Sequence, residues 1–244
     1  MIRKHTLWLL TLFWLPVAGL AQQEAAVVPL QFRAVLHDPV HPTAELFYTD
    51  HKGVVVKLEF RPQDLTRTLF TLPLNGSLVL YDKADVDPKK PEASLAASIK
   101  LPPEIRRAMV VVLPAPAGSK PAYRMVVIDD SAKAFPKGES RVLPLVAVET
   151  AIQAGEHRVP IHPGKIAIVP PVTKRNEYNM AQTNFYYKQG DAWVPFTERQ
   201  LQFLDACRRL FIVHVTPGAL QPTVTTIVDI ALPTAPKSDK AAGK

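Results

Sequence analysis

The sequence predicts an all-β protein: an antiparallel β-sandwich, built as two Ig-like sandwich domains with little helix. Two observations lead to this prediction. Short runs of β-branched and other apolar residues recur along the whole chain, often alternating with polar residues. Turn sequences separate these runs, and the chain has 24 prolines among its 244 residues. Crossover helices are missing between the runs, which argues against a parallel α/β sheet.

The strands follow one another at short intervals. Asn75-Gly76 is the strongest hairpin signal, because both residues accept the positive φ of a type I′ turn. We predict one short turn at 102–106 and a helix at 197–207, where Leu201 and Leu204 are spaced by a helical turn. The predicted strands are residues 30–36, 44–48, 54–60, 66–71, 77–82, 93–100, 107–113, 122–128, 139–146, 151–153, 157–161, 165–169, 180–188, 192–196, 209–215 and 224–230.

Residues 1–21 have the layout of a secretory signal peptide. A short basic start is followed by the apolar run 6–15, and the small residues Gly19 and Ala21 precede the expected cleavage site. The apolar run is too short for a membrane-spanning helix, which needs roughly 20 residues. Cleavage leaves Gln22 first, where a lipoprotein needs a cysteine. We therefore expect a periplasmic or extracellular protein without a membrane span after cleavage.

Composition argues against several classes of partner and cofactor. Five of the 29 basic residues and one of the 22 acidic residues lie in the two end segments, so the body carries about +3 of the formal +7. Its basic pairs are short and scattered, which is unlike a nucleic-acid-binding face. Cys207 is the only cysteine, so the chain forms no internal disulfide. No Gly-rich phosphate loop or zinc-protease helix occurs, and we expect no cofactor.

The predicted domain border lies near residues 145–150. Residues 22–147 then form an N-terminal β-sandwich domain and 148–230 a C-terminal one, both of Ig-like size. Residues 231–244 lack apolar anchors and predict a disordered basic tail. A single continuous sandwich is the alternative.

Asp129-Asp130-Ser131 looks like an acidic site at the exit of a predicted strand. Adjacent carboxylates on an extended chain point to opposite sides, which is poor geometry for a shared proton. Asp and Ser also favour turns, because their side chains bind nearby backbone amides. We therefore predict a structured loop here, with a metal site as the alternative.

The histidines give weak signals of a metal site. His37 and His41 have the i, i+4 spacing of zinc ligands on a helix, but Pro39 lies between them and disfavours that helix. Cys207 and His214 are seven residues apart, which places them on opposite faces of a strand. We therefore predict no catalytic or metal-binding residue, and a buried Cys207.

Aromatic residues surround the turn at 189–191. Phe185 and Tyr187 share one face of the predicted strand. We favour packing of this pair against Trp193 across the hairpin. The alternative is an exposed aromatic strip of Phe185, Tyr187 and Trp193 that binds sugar or peptide, and it is the one binding surface that the sequence suggests.

The segment YRMVVIDDSAKAFPKGESRVLPL resembles an uncharacterised family of secreted bacterial β-rich proteins of unknown function. A strand that ends in Asp-Asp is followed by small residues, Lys-Ala-Phe-Pro-x-Gly and another strand. Similar features follow at His162-Pro163-Gly164 and Asp191-Ala192-Trp193, so the resemblance spans roughly Phe32 to Asp229. Pro144 departs from the Asn that the family often carries near this position. The resemblance implies a secreted β-sandwich, no particular reaction and no functional residue.

Export, a β-rich body and the lack of a catalytic constellation predict a non-catalytic binding or structural module of the cell envelope. Such a module uses a sheet edge or a loop end to bind a protein, a peptide or a glycan. The alternative is an exported hydrolase or metal-dependent enzyme that uses Asp129, Asp130, His37 or His41.

Overall fold

The computed structural model describes residues 28–41, 43–87 and 89–230. Within them the protein is all-β, as the sequence predicts, and its one helix is the short 3₁₀ helix Pro91–Ser94. The predicted signal peptide and the predicted tail lie outside the described residues. No helix in the described part has the length and hydrophobicity that membrane spanning requires.

All sixteen predicted strands are present, with shifted ends in several cases. They are β1 Leu30–Leu36, β2 Phe47–Thr49, β3 Val55–Lys57, β4 Leu69–Thr71, β5 Ser77–Tyr81, β6 Leu95–Lys100, β7 Arg107–Pro114, β8 Tyr123–Asp129, β9 Ser140–Pro144, β10 Thr150–Ala154, β11 His157–Ile161, β12 Ala167–Val169, β13 Met180–Gln189, β14 Ala192–Gln202, β15 Cys207–His214 and β16 Thr223–Ile230.

The helix predicted at 197–207 is wrong. Residues up to Gln202 continue β14, which pairs with β13 along its whole length, from Ala192 opposite Gln189 to Gln202 opposite Met180. The side chains of Phe196 and Leu201 pack against the core. The local helical spacing is overridden because pairing with β13 satisfies the backbone of this segment.

Two turns behave as their sequences predict. Asn75 and Gly76 both have positive φ, 49° and 72°, and Leu74 and Ser77 exchange backbone hydrogen bonds across them. At 102–106, the Ile105 amide donates to the Pro102 carbonyl. The hairpin predicted at Asn75-Gly76 is nevertheless wrong, because this turn connects β4 and β5, which belong to different sheets.

The chain builds the same arrangement of eight strands twice. In the first half, β1 to β8, the sheets have the orders β4-β1-β7-β8 and β3-β2-β5-β6. In the second half, β9 to β16, the orders are β12-β9-β15-β16 and β11-β10-β13-β14, so each strand takes the place of the strand eight earlier. β1 is parallel to β7, and β9 is parallel to β15, whereas the other pairs are antiparallel. β9 precedes the predicted border at residue 147 but pairs with β12 and β15, which follow it.

Three apolar clusters hold four layers of sheet together. One cluster fills the space between the two sheets of the first half, and another fills the second half. The third cluster lies between the halves, where β4-β1-β7-β8 and β12-β9-β15-β16 pack face to face. We call this contact the junction and the cluster within it the junction cluster. Both middle sheets are therefore buried on both faces, which explains the continuous apolar runs of β7 and β15. The third cluster includes Val35, Met109, Val111, Leu143, Leu210 and Ile212.

The junction between the halves uses equivalent positions of each. Val35 pairs with Val111 in the first half, and Leu143 pairs with Ile212 at the same place in the second. All four side chains belong to the junction cluster. The contact therefore resembles the self-complementary interface of a two-fold dimer, contained in one chain.

Candidate functional site

A ring of four charged side chains closes one end of the junction. Arg33 on β1 and Arg208 on β15 each bind both Asp130, just after β8, and Asp229 on β16. Arg33 Nη2 lies 2.8 Å from Asp130 Oδ1, and Arg33 Nη1 lies 2.7 Å from Asp229 Oδ1. Arg208 Nη2 lies 2.7 Å from Asp130 Oδ1. Each arginine thus binds one carboxylate from its own half and one from the other half.

The duplicated fold explains why these carboxylates meet. β8 and β16 each contribute an isoleucine to the junction cluster, Ile128 and Ile227. Asp130 and Asp229 lie two residues beyond these isoleucines. Because side chains alternate along a strand, each carboxylate continues the face that packs in the junction.

Burial and hydrogen bonding have opposite effects on the pKa values of the ring. Burial alone lowers the pKa of Arg33, but its hydrogen bonds to Asp229 and Asp130 outweigh this effect, and the pKa is raised. For Asp229, burial raises the pKa, whereas hydrogen bonds from Arg33 and Arg208 dominate and lower it. Both groups are therefore charged at neutral pH, and the ring alternates positive and negative charges.

The loop after β8 is folded against this ring. The Asp129 carboxylate accepts a hydrogen bond from the Ser131 amide at 2.8 Å, and the Phe135 amide donates to the Ser131 carbonyl. The Phe135 ring lies under the Arg208 guanidinium, 4.7 Å from its Cζ, and the Phe135 carbonyl accepts from Arg208 Nη1. The loop is structured, as its turn chemistry predicts, and Asp130 is only 4% exposed.

Two adjoining clefts open beside the ring. Their volumes are about 590 Å³ and about 320 Å³, and Arg33, Thr68, Asp229 and Ile230 line both. The larger cleft lies between residues 57–69 of the first half and the end of β16. The smaller one reaches the loop after β8. We call the two together the junction cleft.

The junction cleft is basic. Seven basic and four acidic residues line it. The ring uses two of each, and Lys57 pairs with Glu45. Among the acidic residues this leaves Glu59 and Asp64. Four exposed cations make no ion pair with any described residue: Arg61, Arg67, Arg107 and Lys137. Positive charge concentrated in a cleft attracts an anionic ligand.

Two histidines meet elsewhere in the junction. The rings of His37 and His214 are edge to face, with centroids 4.4 Å apart, and His214 Nε2 lies 3.0 Å from Thr225 Oγ1. Burial and, to a smaller extent, the neighbouring His214 together lower the pKa of His37 to about 4, although Asp38 acts in the opposite direction. Burial also lowers the pKa of His214. Both rings are therefore neutral at pH 7.

The residues of the enzyme alternative do not converge. Arg33 binds Asp130, and His37 lies four residues beyond Arg33. Four residues of an extended chain span roughly 13 Å, so His37 is far from Asp130. His41 is exposed and lies near Asp38 instead. In the described part of the chain, no three His, Cys, Asp or Glu side chains are grouped as metal ligands.

The aromatic residues of the second half do not form one surface. Phe185 is 1% exposed and packs in the core, with its ring 5.3 Å from that of Phe211. Tyr187 is half-buried against Phe196. Trp193 is 37% exposed and pairs with Lys188, so it lies on the other face of the sheet. The predicted packing of Phe185 and Tyr187 against Trp193 is wrong. In the register of the hairpin, both rings contact Phe196 instead.

Sequence reasoning missed Arg33, Arg208 and Asp229. The available signal was a charged residue inside an apolar strand, as in LQFRAVL and TVTTIVDI. A charge at a position whose strand neighbours are buried needs a partner of opposite charge. The predicted burial of Cys207 is confirmed.

Comparisons with known proteins add little. No protein-family model matches the chain, and no curated protein matches it. Among solved structures, a candidate cell adhesion protein from Bacteroides ovatus is similar at 6% identity and a TM-score of 0.24, over 86% of this chain and 100% of that one. A similarity at this level carries no argument about function. The resemblance to a secreted bacterial family therefore stays a prediction.

Proposed function

We propose that this protein is an exported, non-catalytic binding module of the cell envelope, and that it binds an anionic partner in the junction cleft. The signal-peptide pattern of residues 1–21 supports export to the periplasm or beyond. The observation that carries the proposal is that the two adjoining parts of the junction cleft are lined by four cations that make no ion pair with a described residue.

The cleft suits binding because its walls are held in place. The ring ties β1 and β8 of the first half to β15 and β16 of the second. The apolar junction cluster lies between the same sheets. A site that is already formed loses little conformational entropy when its partner binds. The ring also neutralises its own charges, so Arg61, Arg67, Arg107 and Lys137 remain available to the partner.

The partner is an envelope protein, a peptide or a glycan that carries negative charge. Nucleic acid is not proposed, because the cations lie within a cleft and are not interleaved with aromatic residues. An exported hydrolase or metal-dependent enzyme has no comparable observation in its favour, since its candidate residues lie in separate places.

Site-specific photo-crosslinking in the producing cell tests this proposal. A photoreactive phenylalanine analogue replaces Thr68 in the cleft or, as a control, Gln182 on the outer sheet of the second half. We expect a discrete cross-linked partner from position 68 and none from position 182. The double reversal Arg61→Glu with Arg67→Glu should abolish this adduct.

A matched control reverses Arg158 and Arg199, which are exposed on β11 and β14 and do not line the cleft. This variant should retain the adduct. The proposal is overturned if position 68 gives no adduct, or if both double variants lose it equally while remaining folded.

A further inference from the structure

The last strand of the second half has an open edge that borders the junction cleft. β16 pairs with β15 in eight successive pairs, from Cys207 opposite Ile230 to His214 opposite Thr223, without a bulge. Within the described residues no strand pairs with its other side. In an antiparallel strand, alternate residues point their N–H and C=O groups away from the neighbour, so about four residues of β16 present unpaired backbone groups.

This edge lacks the devices that usually prevent further pairing. Proline, lysine and bulges protect exposed edges, and the sequence TVTTIVDI contains no proline or lysine. Its one charged residue, Asp229, is held in the ring. Several other edges carry such features: β11 contains Pro160, and β14 contains Pro195 and a register shift. On β4, the Phe70 carbonyl already accepts from the His51 amide.

The end of β16 also exposes two apolar residues beside the cleft. Val228 is 42% exposed and Ile230 is 57% exposed, and both line the larger cleft. They lie two residues apart on the face of the strand opposite to Asp229. A strand that docks here gains apolar contact from these side chains besides main-chain hydrogen bonds. Arg61 and Arg67 line the same cleft, on its other wall.

From this combination we infer that the partner contributes an extended acidic peptide segment, which adds to the open edge of β16. Strand addition derives its affinity from main-chain hydrogen bonds and its specificity from alternate side chains. Here, one set of side chains would contact Val228 and Ile230, and carboxylates would meet the cations of the cleft. The inference rests on the proposed function and names the chemistry of its partner.

Fluorescence anisotropy with the mature chain and short synthetic peptides tests this inference. The probe is a labelled peptide of four Val-Glu repeats. A peptide of four Val-Lys repeats tests the charge, and a Val-Glu peptide with every second backbone amide methylated tests the hydrogen bonds. We expect the Val-Lys peptide to bind at least about tenfold more weakly. Methylation should weaken binding by about tenfold or more, because it removes several hydrogen bonds.

Hydrogen exchange supplies a second readout, which locates the bound peptide on the protein. The Val-Glu peptide should slow the exchange of amides in residues 223–230 and leave β11 unchanged. The Arg61→Glu, Arg67→Glu variant should bind the Val-Glu peptide at least about tenfold more weakly, whereas the Arg158→Glu, Arg199→Glu control should bind it normally.

The outcomes separate this inference from the proposed function. If the methylated peptide binds as tightly as the Val-Glu peptide, or if β16 exchange is unchanged, the cleft recognises charge alone. Strand addition is then refuted, while anion binding stands. If no Val-Glu peptide binds but an anionic polysaccharide does, the partner is a glycan and the inference is also refuted. If no anionic probe binds and no adduct forms at position 68, both fail.

Discussion

Acidification should destabilise the protein through the histidine pair of the junction. The perturbation is a change of pH from 7 to 4, compared between the native chain and the variant His37→Phe. Phenylalanine keeps an aromatic ring against His214 but cannot be protonated. His37 is buried, and its pKa falls from an ordinary value of 6.5 to about 4.

The direction and size of this change in the free energy of unfolding follow from proton linkage. Between pH 6.5 and about 4 the unfolded chain binds a proton at His37 and the folded protein does not, so acid favours unfolding. The contribution of the neutral His37 to stability is fully present above pH 6.5 and is lost as the pH falls towards 4. A lowering from 6.5 to about 4 corresponds to roughly 3 kcal/mol. The lowered pKa of His214 acts in the same direction.

Urea unfolding at a series of pH values measures this effect. The free energy of unfolding of the native chain should fall by roughly 3 kcal/mol more than that of His37→Phe between pH 7 and 4. Carboxylates with lowered pKa values, such as Asp229, are present in both proteins, so their contribution cancels in the difference. His37→Gln provides a second uncharged variant. Equal losses in the native chain and in both variants would refute the reasoning.

Three further predictions concern the ring, the aromatic residues and export. Asp130→Ala leaves both arginines of the ring sharing one carboxylate, and should lower the free energy of unfolding by about 3–5 kcal/mol in urea titrations. Asp129→Ala removes one loop hydrogen bond and should lower it by only about 1 kcal/mol. Phe185→Ala should lower it by about 3–5 kcal/mol, whereas Trp193→Ala should change it by less than about 1 kcal/mol; similar losses would contradict the assigned burial. Mass spectrometry of the mature protein should show Gln22 as its first residue, and a soluble product that still begins at Met1 would contradict export.

The sequence by itself determined where the strands lie. Alternation of apolar and polar residues and the chemistry of turns are local properties, so a window of a few residues suffices to locate a strand. β1 begins and ends as predicted, at Leu30 and Leu36. The helix predicted at 197–207 was wrong for the same reason. The spacing of Leu201 and Leu204 is helical, but the segment pairs with β13, which lies outside the few residues on which the prediction was based.

Only the tertiary structure decided how the strands combine and where the candidate site forms. The charged ring joins Arg33 to Asp130 and Asp229, which are 97 and 196 residues further along the chain. The apolar runs of β7 and β15 predict burial on both faces but do not specify which sheet covers them. Side-chain patterns record whether a position is buried or exposed. Which residues bury a given position depends on how the two halves pack against each other. This packing follows from the strand order of each half, which is set by pairing between residues far apart in the sequence.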